Sequence, residues 1–240
     1  MYTKEEIFEK LWKDYSEQNP SAKRVYDLFI SEGEKVVNDH IAFRTFNNSK
    51  VNVDVLSKVF LNVGYEFKQD YHFEAKKLYA KHFEHKEDPK APRIFISELK
   101  LELCSKFLQI AVQGIINKLS RDVLKSENLV FSGNSWGKPS YNMYTKLREE
   151  SEYAAWLYVF GFRANHFTVS VNHLKKHNTL EKVNQLLKDN GFLINDSGGK
   201  IKGSPKQLLE QSSIKADHID MEFNEGVKEI PGCYYEFAKR

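Results

Sequence analysis

Apolar residues near the start of the chain recur at helical spacing: Ile7, Phe8 and Leu11, then Val25, Leu28 and Phe29. Side chains three or four apart share one helix face, so the pattern predicts two amphipathic helices. Thr3 and Glu6 have capping-box spacing ahead of the first helix. Asn19 and Pro20 read as the cap and first-turn residue of the second, which Gly33 stops. The period then changes to two. In "NDHIAFRTF", His40, Ala42 and Arg44 alternate with Ile41, Phe43 and Thr45, as in a strand with one apolar and one polar face. A short helix through Val55, Val59 and Phe60 ends at Gly64, and "YEF" opens another strand. Further strands are expected at "LYAKHFEH" and "RIFIS".

The same layout recurs later. His166 begins an alternating strand, "HFTVSVN". Asn178 and Glu181 cap a helix carrying Leu180, Val183, Leu186 and Leu187, and Gly191 ends it before "FLI". The interval from His40 to Gly64 matches that from His166 to Gly191 within one residue, so an internally duplicated, β-α-β-rich module is the economical reading. A later strand of the second module is expected at "DHIDMEF". Residues 99–161, between the modules, read as largely helical, with a loop at "SGNSWGKPS". Ser204 and Pro205 signal a final helix before Leu208 and Leu209. The chain thus divides, within a single domain, into N-terminal helices (1–35), a first module (36–98), a helical insertion (99–161) and a second module with the C-terminal segment (162–240).

Three strands carry polar faces of an unusual kind. "HIAFR" sets His40 and Arg44 on one side, "HFTVS" sets His166, Thr168 and Ser170 on one side, and "HIDMEF" sets His218, Asp220 and Glu222 opposite Ile219, Met221 and Phe223. A face exposed only to water is ordinarily rich in Lys and Glu, whereas the His, Thr, Ser and Asn of "HFTVSVN" are short groups that can bind something. A solitary histidine on a strand is usually a hydrogen-bonded structural residue, and His72, His82, His85, His173 and His177 are read in that way. His40 and His166 differ because they hold equivalent places in the two modules. Joined by a carboxylate from a later strand, they would form the two-histidine, one-carboxylate facial triad of non-haem Fe(II) oxygenases. The pattern leaves Asp220 and Glu222 both open as that carboxylate, and His218 with Glu222 as a rival pair. Arg44 offers a planar fork suited to a substrate carboxylate, or a partner for a surface ion pair.

Composition narrows the class. The 240 residues are 41% hydrophobic and 29% charged with a net charge of +3, ordinary values for a globular chain. Lysines are interspersed with acids and form no basic block, so no nucleic-acid partner is expected. No apolar run approaches the roughly 18 residues that would span a bilayer, and "MYTKEEIFEK" has no apolar signal core, so no membrane association is expected. Cys104 and Cys233 form no metal-type pair and read as reduced thiols of a cytoplasmic protein.

Four segments, "DHIAFRTF", "ESEYAAW…GFRANHFTVSVN", "KGSPKQLLEQSS" and "GCYYEFAKR", resemble the family of 2-oxoadipate dioxygenase/decarboxylases, or hydroxyglutarate synthases, from about residue 36 to the C-terminus. The resemblance implies an α+β vicinal oxygen chelate fold, with two βαβββ modules curled around a metal site. It implies Fe(II) held by His40, His166 and Glu222, the last in the strand before the "IPG" segment, and a substrate carboxylate gripped by Arg44. The implied chemistry consumes dioxygen and a 2-oxo dicarboxylate, 2-oxoadipate foremost, in lysine catabolism. It releases carbon dioxide and 2-hydroxyglutarate. The alternatives are a glyoxalase- or isomerase-type enzyme of the same fold using Ni(II), Zn(II) or Mn(II), and a metal-free protein that binds a small carboxylate.

Overall fold

The computed structural model describes residues 2–240 except 126, 205, 207 and 208. Helix α1 (Lys4–Gln18) begins with the expected capping box: the Thr3 hydroxyl accepts from the Glu6 amide while Glu6 accepts from the Thr3 amide. Helix α2 (Pro20–Ser31) follows, with proline in its first turn. Asn19 does not cap it through its side chain, which instead accepts from the Cys233 amide and donates to the Tyr15 carbonyl.

The first module runs β1 (Asn38–Phe46), α3 (Val53–Leu61), β2 (Tyr65–Phe73), β3 (Leu78–His85) and β4 (Arg93–Leu99). The intervening segment carries α4 (Lys106–Asn117), α5 (Arg121–Lys125), α6 (Tyr141–Glu150) and α7 (Glu152–Phe160). The second module runs β5 (Ala164–Ser170), α8 (Leu180–Asp189), β6 (Lys202–Ser204) and β7 (Leu209–Ser213). A hairpin follows, β8 (His218–Phe223) with β9 (Gly226–Pro231), and then the closing strand β10 (Tyr235–Lys239).

Among the described residues eight strands form one sheet in the order β2-β3-β4-β1-β5-β10-β7-β6. Its two halves have the same internal plan. In each, the first strand pairs parallel with the fourth, β1 with β4 and β5 with β10, and the third strand lies antiparallel beside the fourth. The halves meet where β1 pairs antiparallel with β5, in the register His40↔Thr168, Ile41↔Phe167 and Ala42↔His166. A pseudo-twofold axis through the Ile41–Phe167 pair therefore exchanges the flanking pairs and carries His40 onto His166. The duplicated βαβββ modules of the expected α+β fold are present, related by this twofold across the seam. Their outer faces are apolar: Ile41, Phe43, Phe167, Val169, Tyr235 and Phe237 are all buried, and α1 lays Trp12 against Phe167 at 5.2 Å between ring centres.

Local details differ from the sequence reading. "DHIDMEF" is a strand, but β8 and β9 form a separate two-stranded sheet inserted between the third and fourth strands of the second module. "FLI" forms no strand; Ile194 makes only an isolated bridge to Ile214. Thr179, not Asn178, caps α8. The expected final helix falls largely outside the described residues, and Ser204 and Leu209 on either side of it lie in β6 and β7. Among the described residues no helix is long and apolar enough to cross a membrane.

Candidate active site

The polar sides of the central strands face a cleft of about 1520 Å³, walled on one side by Tyr153 and Trp156 of α7. Three potential metal donors converge in it. His40 on β1, His166 on β5 and Glu236 on β10 each present one ligand atom, all within 4.8 Å of one another. Strand register produces this convergence. His40 and His166 lie diagonally across the antiparallel seam with ring centres 5.6 Å apart, and Glu236 sits beside Thr168, next on the same face after His166. The pseudo-twofold position corresponding to Glu236 is Phe95 of β4, opposite Ala42, so the first module supplies no matching carboxylate.

The donor set suits a divalent ion such as Fe(II). Both imidazoles have Nδ1 engaged by the preceding residue: His40 with Asp39 Oδ1 at 2.8 Å, and His166 with Asn165 Oδ1 at 3.0 Å. The protons are thereby held on Nδ1, and the Nε2 lone pairs point inward. An acceptor behind each ligating histidine is the usual way of fixing tautomer and ring angle at a metal site. Burial pulls the His166 pKa down to about 4, with Glu236 opposing and His40 and Arg44 adding to the shift, so the ring is neutral at pH 7. Its Nε2 stands 3.7 Å from Glu236 Oε2. Glu236 also accepts from Gln211 Nε2 at 3.4 Å, and Thr168 Oγ1 lies 3.1 Å from His40 Nε2. Two imidazoles and one carboxylate are the donor types of the facial set that holds non-haem iron.

Arg44 is on the same face of β1 as His40 and lines the cleft. Its guanidinium stacks on Tyr153 and Trp156, 5.0 and 5.1 Å from their ring centres. Burial works against its charge and lowers its pKa, although an arginine remains protonated at any ordinary pH. Among the described residues its guanidinium makes no hydrogen bond and no ion pair. A half-buried cation with its donors unused, facing a cleft, suits an anionic ligand. Arg93 and Arg240 also line the cleft, but they are engaged by Glu84 and Asp39.

The structure therefore places His40, Arg44 and His166 in one cleft but does not bring Glu222 to them. Glu222 is exposed on the β8–β9 hairpin, 3.3 Å from Lys138, and His218 and Asp220 are exposed on the same strand. The carboxylate that joins the histidines is Glu236. It shared a signal with the histidine strands: in "YYEFAK" it alternates with Tyr235 and Phe237, both fully buried, and so stands on the polar side of an otherwise core-packed strand. Asp39, Asn165 and Arg240 were also passed over, although a hydrogen-bonding residue directly precedes each of the two histidines.

Comparison with known proteins agrees with this geometry. A family model for 2-oxoadipate dioxygenase/decarboxylase matches residues 6–240. Curated 2-oxoadipate dioxygenase/decarboxylases of Oryza sativa subsp. japonica (chloroplastic/amyloplastic) and Arabidopsis thaliana (chloroplastic) are 36% and 37% identical, over 98% and 94% of this chain. The chain spans about two thirds of their length, 68% and 65%. Among solved structures, a provisionally named hydrolase of Shewanella frigidimarina NCIMB 400 is 48% identical with a TM-score of 0.95, over 100% of this chain and 94% of that one. The hydroxyglutarate synthase of Oryza sativa in complex with 2-oxoadipate is 36% identical with a TM-score of 0.91, over 98% and 79%. A provisionally named glyoxalase superfamily protein of Ralstonia eutropha JMP134, 21% identical with a TM-score of 0.81 over 96% and 80%, shares the fold. With its paired modules, its cleft and nearly its whole length matched by one family model, the chain belongs to the 2-oxoadipate dioxygenase/decarboxylase family of oxidoreductases.

Proposed function

We propose that the protein is an Fe(II)-dependent dioxygenase that decarboxylates a 2-oxo dicarboxylate, 2-oxoadipate first among candidates, to 2-hydroxyglutarate and carbon dioxide. The observation that carries this reading is the meeting of His40, His166 and Glu236 in one cleft, on the same side as the unpaired Arg44. These three residues would hold the metal, and ferrous iron bound there supplies the electrons and open positions that dioxygen activation needs. The chain's own groups supply the rest. Asp39 and Asn165 keep the imidazoles in the ligating tautomer. Arg44 holds a carboxylate of the acid, and its stack on Tyr153 and Trp156 keeps the guanidinium fixed and shielded from water. In the overall reaction C1 leaves as carbon dioxide and the keto carbon becomes a carboxylate carrying one atom of dioxygen. The other atom ends as the hydroxyl of the shortened acid. One acid and one dioxygen account for every atom, so no second 2-oxo acid is consumed. The buried, unbridged thiols of Cys104 and Cys233 favour a reducing compartment, and a cytoplasmic location is part of the proposal.

Anaerobic reconstitution with Fe(II), followed by oxygen-uptake measurements over a panel of 2-oxo acids, tests the reading. Oxygen uptake with 2-oxoadipate, matched by carbon dioxide and 2-hydroxyglutarate, is expected. Conversion or hydrolysis without oxygen uptake, supported by Ni(II), Zn(II) or Mn(II), would overturn it in favour of Lewis-acid chemistry. Acid binding that persists in chelator, with no turnover, would make the chain a carboxylate-binding protein.

A further inference from the structure

The two histidines are supported unequally. Behind His166 stands a neutral amide, Asn165; behind His40 stands a carboxylate, Asp39, which is 7% exposed. Burial works against the charge of Asp39, but hydrogen bonds from His40 and Arg240 outweigh it and hold the carboxyl well below the usual range. The Arg240 fork grips both oxygens, with Nε 2.8 Å from Oδ2 and Nη2 3.0 Å from Oδ1. Arg93 approaches Oδ2 only to 3.6 Å, and its Nε is bonded to Glu84 at 2.7 Å. Arg240 is itself anchored: its amide donates to Asn172 Oδ1 at 2.9 Å, and its carbonyl accepts from Asn172 Nδ2 at 2.7 Å. A side chain from the end of the second module's last strand thus reaches across the seam and fixes the partner of the first module's histidine.

We propose that Arg240 is a positioning residue of the metal centre, acting through Asp39 to hold His40 Nε2 toward His166 and Glu236. The inference rests on the metal-centre reading above. A carboxylate free to rotate would accept the His40 proton in several orientations, whereas one gripped at both oxygens has a single orientation and fixes the imidazole plane with it. Arg240 lines the cleft, so the competing role is direct contact with substrate, and the two roles move different observables.

The test uses Co(II) as probe metal, with affinity measured by competition against a chromogenic chelator and geometry by the visible Co(II) spectrum. KM and kcat for 2-oxoadipate are measured separately at saturating Fe(II), and thermal unfolding checks that each variant folds. Arg240→Gln should weaken Co(II) binding roughly 10–100-fold, the usual cost of losing a residue behind a metal ligand, and alter the spectrum with KM unchanged. Arg240→Lys should recover part of the affinity because it keeps the charge but not the fork, and Arg93→Gln should cost less than Arg240→Gln. Wild-type Co(II) affinity in Arg240→Gln would overturn the proposal, with a raised KM making Arg240 a substrate contact and an unchanged KM making it a packing residue. His40→Ala separates the two levels. If it too binds Co(II) like the wild type, the metal-centre reading fails; if it alone loses the metal, only the role of Arg240 falls.

Discussion

At the scale of single residues, two carboxylates on polar strand faces have opposite fates. Glu236 shares a cleft with two imidazoles, and Glu222 pairs with Lys138 at the surface. After anaerobic reconstitution, Glu236→Ala should retain little iron, and Glu222→Ala should hold as much as the wild type; the reverse ranking in metal analysis would refute the site. Arg44 gives the second prediction. Losing a desolvated charged partner costs on the order of 2–4 kcal/mol, so Arg44→Ala should lower kcat/KM for 2-oxoadipate by roughly 30- to 900-fold while iron stays bound. Arg44→Lys, which keeps the charge without the fork, should fall between. A 2-oxo monocarboxylic acid should lose less than 2-oxoadipate does, because it has no distal carboxylate to forfeit. Equal losses would place Arg44 on the C1 carboxylate. His40, Arg44 and His166 were legible because each stands on the polar parity of an alternating strand. Glu236 carried the same mark but lay in a short strand far along the chain from both histidines, where alternation cannot name a partner.

At the scale of elements, the β8–β9 hairpin explains why Glu222 lies away from the two histidines. Alternation in "HIDMEF" shows that one side is covered, not what covers it. Here the cover is α6: Phe223 packs on Tyr141 and Tyr144 with ring centres 5.2 and 5.7 Å away. The hairpin also caps that helix. Glu225, in its turn, accepts from the Tyr141 and Asn142 amides and the Ser140 hydroxyl, occupying donors that a helix N-terminus leaves open. These bonds, the Tyr141 amide first, lower its pKa to about 2. Because the folded value lies below the unfolded one, the contribution is fully present above about pH 4.5 and is lost as pH falls toward 2. Protection of the amides of residues 218–231 and 140–143, measured relative to their intrinsic exchange rates, should therefore fall over that window. Glu225→Gln, neutral at every pH, should exchange faster already at pH 7 and lose most of the pH dependence. An unaltered acid response in Glu225→Gln would refute the cap.

At the scale of the whole molecule, the convergence of His40, His166 and Glu236 depends on one seam. β1 and β5 join the half-sheets, and Phe167, 1% exposed at the pseudo-twofold axis, packs on Trp12 and Tyr15 with ring centres 5.2 and 5.0 Å away. Truncating a buried phenylalanine costs about 3–5 kcal/mol, so Phe167→Ala should lower the unfolding free energy by that much in denaturant titration. The loss should come in one transition monitored alike by fluorescence and circular dichroism; two separated transitions would show that the modules fold independently. The sequence by itself determined the kinds of elements, their duplication and the polar faces, because side-chain periods of 2 and 3.6 are written locally and a repeated interval needs no knowledge of contacts. The spacing of His40 and Arg44 along one strand face was determined in the same way. Only the tertiary structure decided which carboxylate stands with the two histidines. Backbone hydrogen bonding is nearly indifferent to side-chain identity, so the pairing of β10 with β5, which sets Glu236 beside His166, was selected by burial of Tyr235, Phe237 and their neighbours against the helices. The same pairing carries Arg240 to Asp39, a contact between residues 201 positions apart that no local pattern could announce.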